Sequence, residues 1–168
     1  MSVRTLCFAY GSNMAVERLH SRVGTVELVC VATLAAHALR FHKPGSRDGS
    51  GKCDAAPTGN PDDRVYGAVY SIRSEQMPAL DRIEGAGSGY ERRTMTVVAM
   101  SGASYRVETY LATLIDPRLR PFDWYKEHVL RGARALGLPA GYVAAIEAVE
   151  VVVDTDDARR TRELAIYR

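Results

Sequence analysis

Residues 64–72 read Arg-Val-Tyr-Gly-Ala-Val-Tyr-Ser-Ile, with Val65, Gly67, Val69 and Ser71 alternating against Tyr66, Ala68, Tyr70 and Ile72. After Arg64 neither set carries a charge. Such a segment is predicted to be a strand buried on both faces, which requires a sheet with material packed on each side. Around it the chain offers further short strands: residues 6–10, 26–33, 37–43 and 52–57, then 92–100 and 105–114 as a hairpin across Ser101-Gly102-Ala103-Ser104. Residues 149–153 add a last edge strand. Helices are predicted over residues 14–20 behind an Asn13 cap, from Ser74 to a stop at Gly85, over residues 122–136 with Gly137 as the stop, and over residues 140–148 after Pro139. Hairpins outnumber regular strand–helix–strand units, so the expected class is α+β: a mixed, barrel-like β-sheet of six or seven short strands with three or four flanking helices. Residues 44–51, rich in glycine, serine and charge, read as an exposed loop.

The chain has 168 residues, 46% hydrophobic and 25% charged, which suits one domain over residues 1–153 followed by a charged tail over residues 154–168. Twenty-two basic and 20 acidic residues leave a formal charge of +2, which gives no electrostatic argument for nucleic acid or a membrane surface. A small-molecule partner is expected. Three cysteines, Cys7, Cys30 and Cys53, are odd in number and lack paired metal-ligand spacing, which argues against a disulfide framework or a zinc site. The most apolar stretch, residues 26–41, contains Glu27, His37 and Arg40 and is too short and polar to span a bilayer, and no signal-length apolar run precedes Tyr10. A cytoplasmic location is expected.

Two motifs carry chemistry. Cys7-Phe8-Ala9-Tyr10-Gly11-Ser12-Asn13-Met14 runs from a strand into a tight corner, where glycine admits a close ligand and free main-chain amides point outward. An ordinary strand-to-helix turn explains the same residues without a ligand. Downstream, Leu80-Asp81-Arg82-Ile83-Glu84-Gly85 followed by Gly87-Ser88-Gly89-Tyr90 sets an isolated acid at a helix end beside a mobile glycine-rich bend. Most helix-end glutamates are simply solvated, but apolar neighbours and a loop able to fold over it set Glu84 apart. A nucleophilic Ser12 is disfavoured because no Gly-x-Ser-x-Gly elbow is present. The four histidines are scattered, and Gly85-x-Gly87-x-Gly89 lacks the context of a phosphate loop, so neither a metal nor a cofactor is expected.

In order and spacing, Phe8-Ala9-Tyr10-Gly11-Ser12-Asn13, Val65-Tyr66-Gly67-Ala68-Val69-Tyr70, and Leu80-Asp81-Arg82-Ile83-Glu84-Gly85 with Gly89-Tyr90 resemble the γ-glutamylcyclotransferase family. Residues 105–111, and Tyr125-Lys126 through Gly132 to Gly137-Leu138-Pro139, resemble its later strand and carboxyl-terminal helix. The resemblance implies a compact mixed barrel, no cofactor, and conversion of a γ-glutamyl amine or amino acid to 5-oxoproline and the free amine. It also implies Glu84 as the general acid/base, main-chain amides of Tyr10, Gly11, Ser12 and Asn13 as the glutamyl cradle, and Tyr90, Tyr110 and Tyr125 as pocket residues. Two other readings stay open: a cyclotransferase that unmasks a γ-glutamyl-protected, carrier-bound biosynthetic amine, and a non-catalytic γ-glutamyl-binding module.

Overall fold

The elements run β1 (Arg4–Ala9), α1 (Val16–Val23), β2 (Glu27–Ala35), β3 (His37–Pro44), β4 (Gly51–Pro57), β5 (Arg64–Arg73), α2 (Met77–Glu84), β6 (Tyr90–Ala99), β7 (Ser104–Ala112), α3 (Asp123–Ala135), α4 (Ala140–Glu147) and α5 (Asp157–Leu164). This computed structural model describes residues 3–168; Met1 and Ser2, at the head of the expected domain, lie outside the described residues. Five strands close a barrel in the order β1-β5-β2-β6-β7, and β3 and β4 form a separate two-stranded sheet. Neighbours in the barrel are antiparallel except where β7 meets β1 in parallel at Cys7 and Glu108.

β5 has the role its composition predicts. It pairs with β1 on one edge and β2 on the other, and every residue from Gly67 to Ile72 is buried. Alternation along β1 and β5 then divides the core in two. Phe8, Val65 and Val69 join Ala32, Leu34, Val97 and Val107 and pack with α3 through Trp124, Val129 and Ala133. Cys7, Ala9, Ala68, Tyr70 and Ile72 point the other way, against Leu19 and Val23 of α1 and Met77 and Leu80 of α2. Each such aliphatic side chain removed from water stabilises the fold by about 1.5–3 kcal/mol.

Several local expectations change. Asn13 does not cap a helix: Ser12–Met14 form a 3-10 turn, and α1 begins after Ala15. Residues 149–153 are not a strand; Val152 contributes one isolated parallel bridge to Phe122. The 45–50 segment is no free loop, since Ser50 is buried and Asp48 is tied to both Ser50 and Lys52. From Asp154 onward the charged segment folds back on α3. Asp154 accepts from Trp124 Nε1 at 2.8 Å and from Arg159 at 2.6 Å, and Asp156 caps α5. Among the described residues no helix is long and apolar enough to cross a membrane.

Candidate active site

The corner after β1 is shaped from behind. A Cβ on Gly132 of α3 would lie 2.5 Å from Met14 Cβ and 2.6 Å from Ala15 N, so only glycine lets α3 press against the 12–15 turn. In front, a Cβ on Gly11 would lie 2.8 Å from Cys53 Cβ of β4. Held between these surfaces, the N–H groups of Gly11, Ser12 and Asn13 donate to no partner among the described residues, while Gly11 and Ser12 carbonyls accept from Met14 and Ala15 at 3.0 and 3.3 Å. Three consecutive amides without a protein partner are what a main-chain cradle for negative charge requires.

Glu84 ends α2 at the same place. Asn13 Nδ2 donates to its Oε1 at 2.8 Å, and Arg22 Nη1 of α1 donates to the same oxygen at 2.8 Å and to Asn13 Oδ1 at 2.9 Å. The acid is therefore not isolated, as the sequence suggests, but one corner of a triangle that also fixes the cradle's third residue. Oε2 accepts no hydrogen bond among the described residues. The bend beyond it is hydrogen-bonded rather than loose: Ala86 N donates to Asp81 O, Gly87 N to Tyr90 O and Ser88 N to Gly85 O.

A cavity of about 50 Å³ lies here, lined by all eight residues singled out from sequence: Tyr10, Gly11, Ser12, Asn13, Glu84, Tyr90, Tyr110 and Tyr125. The tyrosines act as struts. Tyr10 donates to Tyr110 O, Tyr90 donates to Cys53 O, Tyr125 Oη accepts from Cys53 N at 3.0 Å, and Tyr110 donates to Asp81 Oδ1 at 2.7 Å. Burial pushes the hydroxyls of Tyr10, Tyr90, Tyr110 and Tyr125 well above their ordinary value. Burial likewise pushes the Cys7 and Cys53 thiols, which also line the cavity, up to about 12. All six stay protonated at neutral pH, so none offers a thiolate or phenolate. Glu84 is the one carboxylate among the lining residues.

Outside this cavity a wider basin of about 400 Å³ shares Ser12, Glu84, Tyr90 and Tyr125 with it. One wall is a network that sequence reasoning missed. Arg18 donates to Ser12 Oγ at 3.1 Å, to His128 Nε2 at 3.0 Å and to Glu163 Oε2 at 2.7 Å. Burial pulls the His128 imidazole down to about 4, so the ring is neutral; accepting at Nε2, it donates from Nδ1 to Tyr167 Oη at 2.6 Å. Arg18, donating at 2.7 Å, holds the Glu163 carboxyl down, because a neutral His128 that accepts at Nε2 has no proton to give it. Ser12 Oγ thus accepts from an arginine instead of facing a base, which removes the support a serine nucleophile needs.

The match to known proteins follows this geometry. A family model described as the AIG2-like family covers residues 64–146. The γ-glutamylcyclotransferase of Homo sapiens is 31% identical over 148 residues, spanning 86% of this chain and 78% of that protein. Its counterpart in Mus musculus is 33% identical over 150 residues, with the same coverage. The chain belongs to the γ-glutamylcyclotransferase family. A solved structure titled γ-glutamyl cyclotransferase superposes with a TM-score of 0.83 at 27% identity, covering 95% of this chain and 99% of the other. Within this family member, Glu84, Tyr90, Tyr110 and Tyr125 fall inside the AIG2-like match, whereas the Tyr10 to Asn13 corner precedes it. Arg18 and Arg22 lie one turn apart on α1, a spacing that puts them on one helical face, and that was the available signal for them.

Proposed function

We propose that this enzyme cyclises the glutamyl half of a γ-glutamyl amine or amino acid to 5-oxoproline and releases the free amine, with Glu84 as general acid/base. The observation that carries the reading is the pairing of one carboxylate, anchored through Oε1 and unbonded at Oε2, with three free amides in a cavity whose hydroxyls and thiols stay protonated.

The substrate contains its own nucleophile. Its α-amine reaches the γ-carbonyl by closing a five-membered ring, but as an ammonium ion it has no lone pair to attack with. Oε2 of Glu84 accepts one ammonium proton, the neutral amine adds to the carbonyl, Glu84 gives that proton to the departing nitrogen as the tetrahedral centre collapses, and the ring nitrogen releases its second proton to solvent. The C–N bond of the lactam forms and the γ-amide C–N bond breaks. Because Arg22 and Asn13 hold Oε1, the carboxylate does not need to reorient between the two transfers.

Bending the glutamyl chain into the ring-closing conformer supplies the positional part of the acceleration, up to about 7–11 kcal/mol in well-oriented model systems. A cavity as small as this one, lined by five tyrosines, is suited to enforcing that bend. The Gly11, Ser12 and Asn13 amides hold the negative charge of the glutamyl half, either its α-carboxylate or the oxyanion; a single oxyanion donor is typically worth about 3–4 kcal/mol. The direct test is incubation of the purified protein with a panel of γ-glutamyl compounds, reading 5-oxoproline by mass spectrometry. Release from one or more supports the proposal; tight calorimetric binding without turnover would instead favour a binding module.

A further inference from the structure

Lys43 has no place in the scheme above. A bulge between Arg40 and Lys43 breaks the β3–β4 register, after which Lys43 stands directly opposite Lys52. Like charges facing each other across a strand pair are destabilising, and here both ammonium groups line the same basin. Lys52 has a counter-ion, Asp48, at 2.9 Å. Lys43 has none among the described residues: it is 4% exposed, its Nζ sits 4.6 Å from the centre of the Tyr90 ring, and it makes no ion pair or hydrogen bond. Its ammonium opens onto the basin and has no counter-ion in direct contact among the described residues, so it faces whatever enters. The Lys43 stem runs against Gly89, where a Cβ would fall 2.8 Å from Lys43 Cε.

The surrounding charges repeat the imbalance. Six cations and three carboxylates line the basin. Each carboxylate is already paired: Glu84 with Arg22, Glu163 with Arg18 and Asp48 with Lys52. Lys43 and two exposed rim residues, Arg47 and Arg162, are left over. A ligand bearing one carboxylate would compensate only part of this surplus.

Resting on the cyclotransferase reading, we propose that Lys43, with Lys52 opposite it, forms an anion subsite for the leaving half of the substrate, and that the released amine carries a doubly charged anionic group, either a phosphomonoester or a pair of carboxylates. The glutamyl half occupies the inner cavity and the departing half extends past Tyr90 into the basin. Lys43 acts by binding, not in the proton transfers.

The test uses two matched pairs of γ-glutamyl conjugates, of aminoethyl phosphate against ethanolamine and of aspartate against asparagine, with 5-oxoproline release as the readout. The doubly charged member of one pair should be favoured in kcat/KM by about 10-fold or more, the worth of one charge-assisted hydrogen bond. Which pair responds tells phosphate from dicarboxylate. In Lys43→Met, which keeps the apolar stem, that ratio should fall to about 1. Turnover of all four compounds with no preference in either pair would overturn the subsite and leave the cyclotransferase reading standing. An equal loss on all four in Lys43→Met would overturn it too, placing Lys43 on the glutamyl half. Absence of 5-oxoproline from every compound would reject both readings together. Should Lys43→Met not fold, the wild-type ratios alone decide.

Discussion

The inner cavity and the outer basin share a wall of Ser12, Glu84, Tyr90 and Tyr125, yet their polar groups are arranged in opposite ways. In the inner cavity each tyrosine hydroxyl and the Glu84 carboxylate has a protein partner, Tyr70 donating to Met14 O, while the Gly11, Ser12 and Asn13 amides and one carboxylate oxygen have none among the described residues. The basin is about eight times as large and keeps three cations without counter-ions among the described residues. A small chamber whose side chains are held in place by protein partners suits a moiety that never varies, because preorganised groups need no rearrangement during reaction. A wide chamber with uncompensated charge suits selection among variable groups by electrostatics.

The largest test of this division is Glu84→Gln. An amide cannot accept the proton, so 5-oxoproline release should fall about 10²–10⁴-fold while γ-glutamyl ligands still bind by calorimetry. Wild-type turnover in that variant would mean the inner chamber does no proton chemistry. Gly11→Val comes next: the new side chain meets Cys53, displaces the cradle, and should cost about 100-fold in kcat/KM with the fold retained by circular dichroism. If kinetics were unaffected, the amides of this corner would have no part in binding.

Arg22→Gln separates anchoring from chemistry. Freed from its guanidinium partner, Glu84 loses one of the two bonds that fix Oε1, and kcat should drop about 10-fold with KM changed less. A change confined to KM would assign Arg22 to substrate binding instead. A further test is a stability effect in the wall of the basin rather than on turnover. His128, at about 4 when folded against an ordinary 6.5, binds a proton more readily in the unfolded chain, so its contribution is intact above about pH 6.5 and is lost as pH falls towards 4. Glu163, at about 2 against 4.5, adds a second loss below about pH 4.5. Urea unfolding should show a decline of about 2–3 kcal/mol between pH 7 and 4.5, and His128→Gln should flatten most of that slope. An unchanged slope would dissociate His128 from the α5 clasp.

Much of the barrel is legible because local pattern and tertiary environment agree. In residues 64–72 both alternate sets are apolar, and both faces of β5 are covered. The same logic fails at residues 149–153, whose run of valines has strand composition but meets only the single bridge to Phe122, leaving Val152 and Val153 exposed. Asn13 shows another limit. Its position before a helix suggests a cap, but an amide that can bridge Glu84 and Arg22 makes stronger, charge-assisted bonds there than a cap would supply.

By itself the sequence determined most of the element types up to α4, the buried strand β5, and the two motifs whose residues line one cavity, because periodicity, turn chemistry and glycine placement act over a few residues at a time. Only tertiary structure decided that Glu84 is ion-paired, that Arg18 joins Ser12 to α5, and that Lys43 has no counter-ion among the described residues. Those facts depend on distances between groups up to 145 positions apart in the chain, and no local rule fixes which charges meet once the core has closed.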